Sequence, residues 1–493
     1  MIISKKTVFT AIIFFTLTIL ITGLFSELCL GDEVYNFRFA KYIFLTGKRV
    51  SYDPLYGINN FPVYYFTAAP LWHFLLAYLW KTIGYISIPL AQVYHIFYYL
   101  LLVFFTYLLG KELYTEKEGL YAALFISTLP MVISFSILFY LDVPLAAFST
   151  LCFLLIKKQK FILAGIIFGV MFLTKITAIF FALGFILLNY YYSLTQKLSV
   201  KVKNIFTFSF FSTSIIFCDF MWRYTHLRVP NVVGGGFVST EVKARLVNVP
   251  FVNKIKPVTE YLNSYLYNPL DIIKYLGIIF LTMFILYFIF RKFQKDDIKI
   301  FIPILSYMLG YICIFGLGSD IRYMMPIIPF MVILASKTAV TLLKNNRKLN
   351  LLLLLLCFLQ LFSVCFYVFW KRRISPEIKE GFAYIKTNIP QHALIMYPEE
   401  NLLLGTERRI IWGSLKNFQA IFWADTDSEL IKYLKENNVD YIAVKKTRIY
   451  DDSKVHHFGG YPKSFVEKLK KSNLFSLVFS NSQIDIWKIN YAS

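Results

Sequence analysis

The chain has 493 residues, of which 57% are hydrophobic, 19% are aromatic and only 16% are charged. This composition excludes an ordinary soluble globular protein and is typical of a chain that crosses a bilayer many times as helices. The net charge of +22 comes from short Lys and Arg clusters between apolar runs, so it indicates membrane topology and argues against a nucleic-acid partner.

The N-terminal segment predicts a signal anchor. Lys5 and Lys6 precede an apolar stretch from Thr7 to Phe25, and no small-residue cleavage site follows it. We therefore expect a retained first helix with a cytoplasmic N-terminus and an outer loop at residues 26–68. Two apolar stretches, 69–84 and 87–110, lie between this outer loop and the basic cluster that begins at Lys111. An odd number of crossings is needed to bring that cluster into the cytoplasm, so one of the two stretches does not span. The stretch 69–84 carries two tryptophans and is predicted to be an interfacial helix on the outer side.

Placing each basic cluster in the cytoplasm predicts about eleven crossings, with the C-terminus outside. After the first helix they are expected at residues 87–110, 118–138, 142–156, 161–192 (a hairpin of two), 205–222, 270–290, 299–316, 323–343 and 349–370. One feature disagrees, because Lys371, Arg372 and Arg373 follow the last crossing on the side predicted to be outer.

Beyond the last crossing the hydrophobic density falls, which predicts a transmembrane domain at residues 1–373 and a small soluble extracytoplasmic α/β domain at 374–493. Alternating segments predict strands and amphipathic segments predict helices in this region. The strands are expected at 393–397, 441–445, 474–480 and 484–489, and the helices at 376–388, 428–437 and 462–471.

A long outer loop is predicted at residues 223–269. It contains the glycines Gly234, Gly235 and Gly236 and scattered basic residues, without the strand that precedes a phosphate-binding fingerprint. It is therefore interpreted as a mobile cover over a site rather than as a nucleotide cradle.

Three acidic residues, at two places in the sequence, are candidates for catalysis. Asp32 and Glu33 follow the first helix directly, so they are expected at the outer membrane surface, where a carboxylate can accept the proton of an attacking hydroxyl. The alternative is that they are solvated loop acids. Asp142 opens the fourth crossing from the same side, and its alternative role is the N-cap of that helix.

Two basic positions are candidates for binding a phosphate. Lys175 interrupts a long apolar run, where an ionisable side chain usually has a functional or pairing role, the alternative being a lysine that snorkels at a hairpin turn. Arg322 lies in an outer turn before the tenth crossing, where a guanidinium can hold a phosphate with two hydrogen bonds. Its alternative is an ion pair with Asp320.

No cofactor is predicted with certainty. His73 and His226 are expected on the outer side and form, with Asp32 or Glu33, only a weak candidate metal site because their spacing is not close. A divalent metal is kept as the alternative to a metal-free site.

Four of these residues, Asp32, Asp142, Lys175 and Arg322, come from distant parts of the chain but share one predicted membrane face. Cations that stabilise a leaving phosphate and a carboxylate that activates a nucleophile suit a lipid-phosphate sugar donor, and direct displacement inverts the anomeric centre. The alternatives are a transporter for polyprenyl-linked lipid or polysaccharide, or a non-catalytic subunit of a glycosylation complex. A transporter is expected to carry charges along a path across the bilayer, and here the candidates lie at one end.

The motifs themselves resemble those of the GT-C glycosyltransferases over residues 1–345. The pair Asp32-Glu33, the segment Leu141-Asp142-Val143-Pro144, the pair Thr174-Lys175 and the pair Arg322-Tyr323 before Pro326 are similar to the dolichyl-phosphate-mannose protein mannosyltransferases and the bacterial transferases of aminoarabinose to lipid A. The segment from Tyr52 to Gly57 is also similar. The order of these motifs carries the resemblance.

The resemblance implies a polytopic membrane enzyme whose donor is a dolichyl- or undecaprenyl-phosphate sugar and whose acceptor is a hydroxyl of a protein, a glycolipid or a polysaccharide. It implies that Asp32 is the catalytic base, that Asp142 is a second acid of the site, and that Lys175, Arg322 and Tyr323 lie at the donor phosphate. One departure is Ala69-Pro70, where many relatives have Lys-Pro or His-Pro. One phosphate contact is then either absent or supplied by His73 or Arg223. Separately, the abundance of Phe, Tyr, Ile and Lys favours a microbial plasma membrane as the location.

Overall fold

A computed structural model of the chain describes residues 5–28, 31–48, 52–58, 61–64, 70–194, 196–227, 269–290, 294–315, 321–343, 346–399, 401–411, 421–422, 424, 426–451 and 460–491. The chain divides into two compact units. The first is Met1–Phe25, Ile43–Arg49 and Phe66–Trp370, and the second is Ser26–Tyr42, Val50–Tyr65 and Lys371–Ser493. The predicted glycine-rich cover lies outside the described residues apart from residues 223–227 and Pro269.

Helices build the first unit. In chain order they are α1 (Lys5–Leu24), α3 (Leu71–Ile83), α4 (Ile88–Leu113), α5 (Glu116–Thr128), α6 (Pro130–Ile137), α7 (Asp142–Lys157), α8 (Phe161–Thr174), a 3-10 helix (Ile176–Phe181), α9 (Ala182–Tyr192), α10 (Leu198–Leu227), α11 (Pro269–Leu276), α12 (Ile278–Phe290), α13 (Lys295–Phe315), a 3-10 helix (Ile321–Ile327), α14 (Ile328–Leu342) and α15 (Arg347–Lys371). Helix α2 (Gly31–Thr46) begins in the second unit.

Several helices are long and apolar enough to cross a bilayer. Among the described residues there are five, at α1, α4, α10, α14 with its preceding turn, and α15, and six if α5 and α6 form one bent span. Helices α8 and α12 and the run from Ile176 to Tyr192 are apolar but shorter. These positions agree with the predicted crossings and identify an integral membrane protein. The count of about eleven crossings remains a prediction.

Helices α5 and α6 are bent by 55° at Leu129 and Pro130. Leu129 has an extended backbone (φ −67°, ψ 126°), the conformation that the ring of a following proline imposes. Pro130 has no N–H to continue the α5 ladder, but it is well suited to the first turn of α6. The break leads the chain through a short turn after Ile137 to the start of α7 at Asp142.

The run 161–192 folds back on itself, as the sequence predicts. The ring centroids of Phe168 and Phe185 are 6.0 Å apart, whereas a straight helix would separate residues 17 positions apart by about 25 Å. The reversal lies at Lys175, whose extended backbone (φ −156°, ψ 129°) ends α8 before the 3-10 helix begins.

Two glycines of α8 set its packing against α10. A Cβ atom on Gly165 would lie 2.5 Å from the carbonyl oxygen of Phe208, and one on Gly169 would lie 2.7 Å from the Cβ of Ile215. The two glycines form a GxxxG motif, which lets membrane helices approach at backbone distance. This contact fixes α8, and with it the position of Lys175 at the end of the helix.

The second unit contains a seven-stranded sheet in the order β2-β1-β4-β3-β5-β9-β8. The strands are β1 (Tyr52–Ile58), β2 (Phe61–Tyr64), β3 (Leu394–Met396), β4 (Arg409–Ile411), β5 (Tyr441–Lys445), β8 (Phe475–Ser480) and β9 (Ile484–Ile489). The four strands β1, β4, β3 and β5 are parallel, and the pairs β1–β2, β5–β9 and β9–β8 are antiparallel. Two short strands, β6 (Ile449–Tyr450) and β7 (Tyr461–Pro462), pair separately.

Helices cover both faces of this sheet. They are α16 (Pro376–Asn388), α17 (Asn401–Thr406), α18 (Asp427–Glu436) and α19 (Lys463–Lys471), together with the first turns of α2. One core contains Phe382 of α16 and Ala443 of β5, and the other contains Leu434 of α18 and Val444 of β5. Neighbouring residues of β5 thus enter opposite cores, which is the period of two that a strand buried on both faces requires.

The elements predicted after residue 374 form in this unit within a residue or two of their predicted ends, and β5, β9 and α16 match them at both ends. The unit also includes residues that the sequence analysis assigned to the first outer loop, namely α2 from its start to Tyr42 and the hairpin β1–β2. Strand β1 pairs with β4 at Tyr56 and Ile410. A loop that joins a sheet formed by distant residues gives no local signal of that pairing.

Candidate functional site

The helix α7 begins with a buried carboxylate. Asp142, 1% exposed, is the first helical residue, and Leu141 occupies the N-cap position without a side-chain capping bond. The alternative role of Asp142 as the N-cap is therefore wrong. An acidic side chain in the first turn is still stabilised by the helix dipole.

Lys175 is the partner of this carboxylate. Its Nζ donates to both Oδ1 and Oδ2 of Asp142 at 2.7 Å. The break in the helix ladder after Thr174 places the lysine where its side chain reaches α7 rather than lipid. An ammonium has three N–H donors, so a lysine that donates two of them to one carboxylate can donate the third to a ligand.

Tyr323 links this ion pair to a second cation. The Nζ of Lys175 lies 4.9 Å from the centroid of the Tyr323 ring, and the guanidinium carbon of Arg322 lies 5.0 Å from the same centroid. The guanidinium also lies 5.4 Å from the ring of Tyr140, and its Nη2 donates to the hydroxyl of Tyr323 at 3.3 Å. Aromatic faces stabilise cations in this way, most effectively away from water.

Further tyrosines extend from Tyr323 along α13. The ring of Tyr311 is 5.4 Å from that of Tyr323, and the parallel ring of Tyr307 is 6.4 Å from that of Tyr311. Tyr307 and Tyr311 are one helical turn apart, so they present one face. All three rings are buried, and Tyr323 is the one that lies beside the two cations.

The arrangement brings two cations to one aromatic ring. Asp142 pairs with Lys175, and Tyr323 lies between that pair and the guanidinium of Arg322. Positively charged groups held in a preorganised, largely dry site stabilise a phosphate oxyanion more strongly than they do in water. Two cations held side by side are a chemical arrangement that can bind a phosphate group.

The first predicted acids lie in the second unit, at the start of α2. Asp32 is partly exposed, whereas Glu33 is completely buried and accepts a hydrogen bond from Nη2 of Arg372, with which it forms an ion pair. Arg372 belongs to the basic cluster that disagreed with the predicted topology. Its burial beside Glu33 gives a structural reason for an arginine at this point of the chain.

A second buried ionic cluster lies elsewhere in the first unit. Lys337 of α14 donates to Oδ1 of Asp297 at 2.6 Å and to Gln294 at 3.0 Å, and the hydroxyl of Tyr114 donates to the same carboxylate. Asp297 lies in the first turn of α13, about 21 Å along the helix from Tyr311. The expectation that the buried charges lie at one end is therefore wrong, although this cluster is satisfied internally.

The remaining predicted residues contribute less. His73 is fully buried in α3, with its ring centroid 5.3 Å from that of Trp72. The side chains of Arg223 and His226 lie outside the described part of the chain. Within that part, no three His, Cys, Asp or Glu side chains converge as metal ligands, so a divalent metal remains an untested alternative.

The aromatic members of the site were missed, except for Tyr323. Tyr140, Tyr307 and Tyr311 gave no distinct signal because 19% of the chain is aromatic. The spacing of Tyr307 and Tyr311 by four residues in a predicted helix was the one available indication that they share a face.

Comparison with known proteins finds one matching family, over part of the chain. Residues 67–222, which include Asp142 and Lys175, match the family described as dolichyl-phosphate-mannose-protein mannosyltransferase. None of the curated protein sequences compared with the chain matches it.

Solved structures share the fold at low sequence identity. ArnT from Cupriavidus metallidurans, bound to undecaprenyl phosphate, is 12% identical with a TM-score of 0.63, and the alignment covers 99% of both chains. The oligosaccharyltransferase of Archaeoglobus fulgidus is 11% identical with a TM-score of 0.56, covering 90% of this chain and 70% of that one.

A third structure, the arabinofuranosyltransferase AftD from Mycobacteria, is 10% identical with a TM-score of 0.54, covering 99% of this chain and 42% of that one. All three share the architecture of the GT-C transferases. The chain is therefore similar to the GT-C glycosyltransferases, through the mannosyltransferase family over residues 67–222 and through the fold along most of its length.

Proposed function

We propose that the protein is an inverting glycosyltransferase that moves a sugar from a polyprenyl-phosphate donor to a hydroxyl of a protein, glycolipid or polysaccharide acceptor at the outer face of the plasma membrane. In this proposal the N-terminus is cytoplasmic and the second unit is extracytoplasmic. The observation that carries the proposal is the group formed by Asp142, Lys175, Tyr323 and Arg322.

The cations bind the donor phosphate. Asp142 holds the ammonium of Lys175 in place, and Tyr323 holds both cations close to one ring. The anomeric carbon–oxygen bond to phosphate breaks in the reaction, and both electrons leave with the phosphate oxygen. Lys175 and Arg322 stabilise that oxyanion, so no acid is needed to protonate it.

Asp32 supplies the base. The acceptor oxygen attacks the anomeric carbon from the side opposite to the phosphate, which inverts the configuration, and its proton passes to the Asp32 carboxylate. Glu33, the third predicted catalytic acid, is held by Arg372. In the proposal it acts through Asp32, since the pair anchors the first turn of α2 from which Asp32 projects.

The lipid carrier is supported by the solved neighbours. The ArnT structure contains undecaprenyl phosphate, and an archaeal oligosaccharyltransferase structure contains dolichol-phosphate and an inhibitory peptide. A phosphate on a long isoprenoid is the chemistry common to both. We extend that donor class to this chain, and we leave the sugar and the acceptor to experiment.

The test is sugar transfer by the purified full-length protein in lipid nanodiscs. Synthetic undecaprenyl-phosphate and dolichyl-phosphate sugars serve as donors, membrane extract serves as the acceptor source, and released polyprenyl phosphate is measured. Lys175→Met and Asp32→Asn are each expected to lower the rate at least about 100-fold. Lys160→Met, at an exposed lysine, is the charge-matched control.

Unaltered transfer in Asp32→Asn would refute the base assignment, and unaltered transfer in Lys175→Met would refute the phosphate site. Transfer that persists when the membrane extract has been heated to inactivate its own enzymes would exclude the alternative of a non-catalytic subunit. Activity that is lost with a chelator and regained with a divalent cation would add a metal to the mechanism.

A further inference from the structure

A second polar cluster lies in the second unit, far along the chain from the residues of the proposed active site. Oε1 of Glu399 accepts hydrogen bonds from Nζ of Lys445 at 2.8 Å and from Nε of Arg448 at 3.0 Å. Oε2 accepts from Lys445 at 2.9 Å and from Nδ2 of Asn401 at 3.0 Å. The carboxylate is therefore saturated by the protein, and its effect is to hold two cations side by side.

The cluster occupies a particular place in the sheet. Strand β3 is flanked by β4, the next strand in the chain, and by β5, the one after that, and all three are parallel. The chain therefore leaves β3 toward one side and returns on the other. Glu399 follows the end of β3, and Lys445 ends β5. Open parallel sheets bind ligands at their carboxyl ends where the connections diverge in this way.

Two buried polar atoms at the cluster have no hydrogen-bond partner within the described residues. They are the hydroxyl of Tyr397, a residue with no exposed surface, and Oδ1 of Asn401, a residue 4% exposed. Burial raises the pKa of Tyr397 well above its ordinary value, and the charges of Glu399 and Arg448 also act on it. The hydroxyl thus lies within electrostatic reach of the cluster. Native proteins rarely leave such atoms unpaired, and a ligand is one explanation.

These groups define the chemistry of the missing partner. Two cations against one carboxylate leave one positive charge, and the side chain of Arg448 is 40% exposed and that of Lys445 is 22% exposed. An anionic group on the ligand is therefore favoured. The amide oxygen of Asn401 only accepts hydrogen bonds, so the ligand also needs a hydroxyl that donates.

A nucleotide fits less well. The turn after β3 has no glycine between residues 397 and 404, and it places a carboxylate where a diphosphate would have to approach. Sugars that carry one acidic group combine a single anionic group with donating hydroxyls. We propose that the cluster of Tyr397, Glu399, Asn401, Lys445 and Arg448 binds an acidic saccharide, meaning a sugar with a carboxylate or phosphate group. That this saccharide is the acceptor of the transferred sugar rests on the proposed function, whereas its binding to the cluster does not.

Binding is measured on the full-length protein in detergent by saturation-transfer NMR and calorimetry, without any donor. The probes are glucuronic acid and glucose 6-phosphate, with glucose and inorganic phosphate as controls for the hydroxyls and the charge. The two acidic sugars are expected to bind at least about tenfold more tightly than either control. Phosphate that binds as tightly as glucose 6-phosphate would overturn the saccharide assignment.

Tyr397→Phe is the decisive variant, because it removes a hydroxyl without breaking any hydrogen bond between described residues. It is expected to weaken acidic-sugar binding by about tenfold and not to lower the melting temperature of the ligand-free protein. Arg448→Met is expected to weaken binding further, and Lys470→Met, at an exposed lysine of α19, to leave it unchanged.

Equal affinity in the wild type, Tyr397→Phe and Arg448→Met would overturn the site, as would failure of both acidic sugars to bind. Lys175→Met separates the two proposals. It is expected to abolish transfer while acidic-sugar binding persists, so loss of binding in that variant would place the sugar elsewhere than at this cluster.

Discussion

Glu33 and Arg372 form an ion pair in the second unit although 339 residues separate them along the chain. Neither side chain is exposed by more than 1%. Two charges taken out of water are tolerated only when each neutralises the other. The pair thus joins the segment that follows α1 to the segment that follows α15.

Replacing Arg372 by Met is expected to destabilise the second unit by about 3–5 kcal/mol, because it leaves a buried carboxylate without its counter-charge. The measurement is thermal unfolding of the full-length protein in detergent, with limited proteolysis to locate the loosened region. Arg373→Met, at the exposed neighbouring arginine, is the control. The pair has no structural role if both variants melt alike.

Adding Glu33→Gln to Arg372→Met is expected to recover part of this loss, since the double variant buries no unpaired charge. The coupling between the two substitutions, measured as a double-mutant cycle, reports the pair itself. Additive effects would contradict a direct interaction.

Asp142→Asn is expected to act through Lys175. An amide no longer fixes the ammonium, so we expect the KM for the lipid donor to rise by about tenfold or more with a smaller change in kcat. Asp142→Glu keeps the charge and is expected to be less affected. The measurement is donor-dependent transfer kinetics. A fall in kcat at constant KM would instead indicate that Asp142 acts on the reacting atoms.

Lys337→Met is expected to lower stability by about 3–5 kcal/mol, because Asp297 then remains buried without its cation. The transfer rate per folded molecule is expected to stay at the wild-type value, since Lys337 already donates to Asp297 and Gln294. Melting temperature and turnover are measured on the same monodisperse preparation. A stable but inactive variant would assign this cluster a part in the reaction.

The Glu399 cluster predicts a pH dependence of stability. Burial acts to raise the pKa of Glu399, but the charges of Lys445 and Arg448 prevail and hold it below its ordinary value of 4.5. The folded protein therefore binds this proton less readily than the unfolded chain does. The stabilisation is complete above the unfolded pKa and is lost as the pH falls through the lower, folded one.

Glu399→Gln is accordingly expected to be less stable than the wild type by about 1–3 kcal/mol at pH 6. The difference is expected to shrink as the pH falls below the ordinary carboxyl value of 4.5. Thermal unfolding of both proteins across this range provides the measurement. A difference that is independent of pH would show that the carboxylate charge is not involved.

The sequence predicted those features that arise from local pattern. Apolar runs bounded by lysines located α4, α10 and α15, and alternation located β5 and β9, because each pattern reflects the surroundings of a single element. The structure also brings Asp142, Lys175 and Arg322 to one place in the first unit. Lys175 was singled out because a charge within an apolar run is costly, and Asp142 and Arg322 because they lie where predicted crossings begin on one membrane face.

Contacts between distant segments could not be predicted from the sequence. Nothing near Tyr56 indicates that β1 will pair with β4, and nothing near Lys337 indicates that Asp297 will neutralise it. The spacing of Gly165 and Gly169 does predict close helix packing from the sequence, independently of the charge pattern.

The seven-stranded sheet is assembled from two segments that lie far apart in the polypeptide, and this has a consequence for biogenesis. Strands β1 and β2 leave the ribosome long before the five strands β3, β4, β5, β8 and β9 that complete the sheet. Until then the early hairpin has no partner strand, and its open edge is exposed to other chains. The second unit can therefore complete its sheet only after the segment beyond α15 has been synthesised. A fragment that begins after α15 would lack the two strands that form one edge of the sheet.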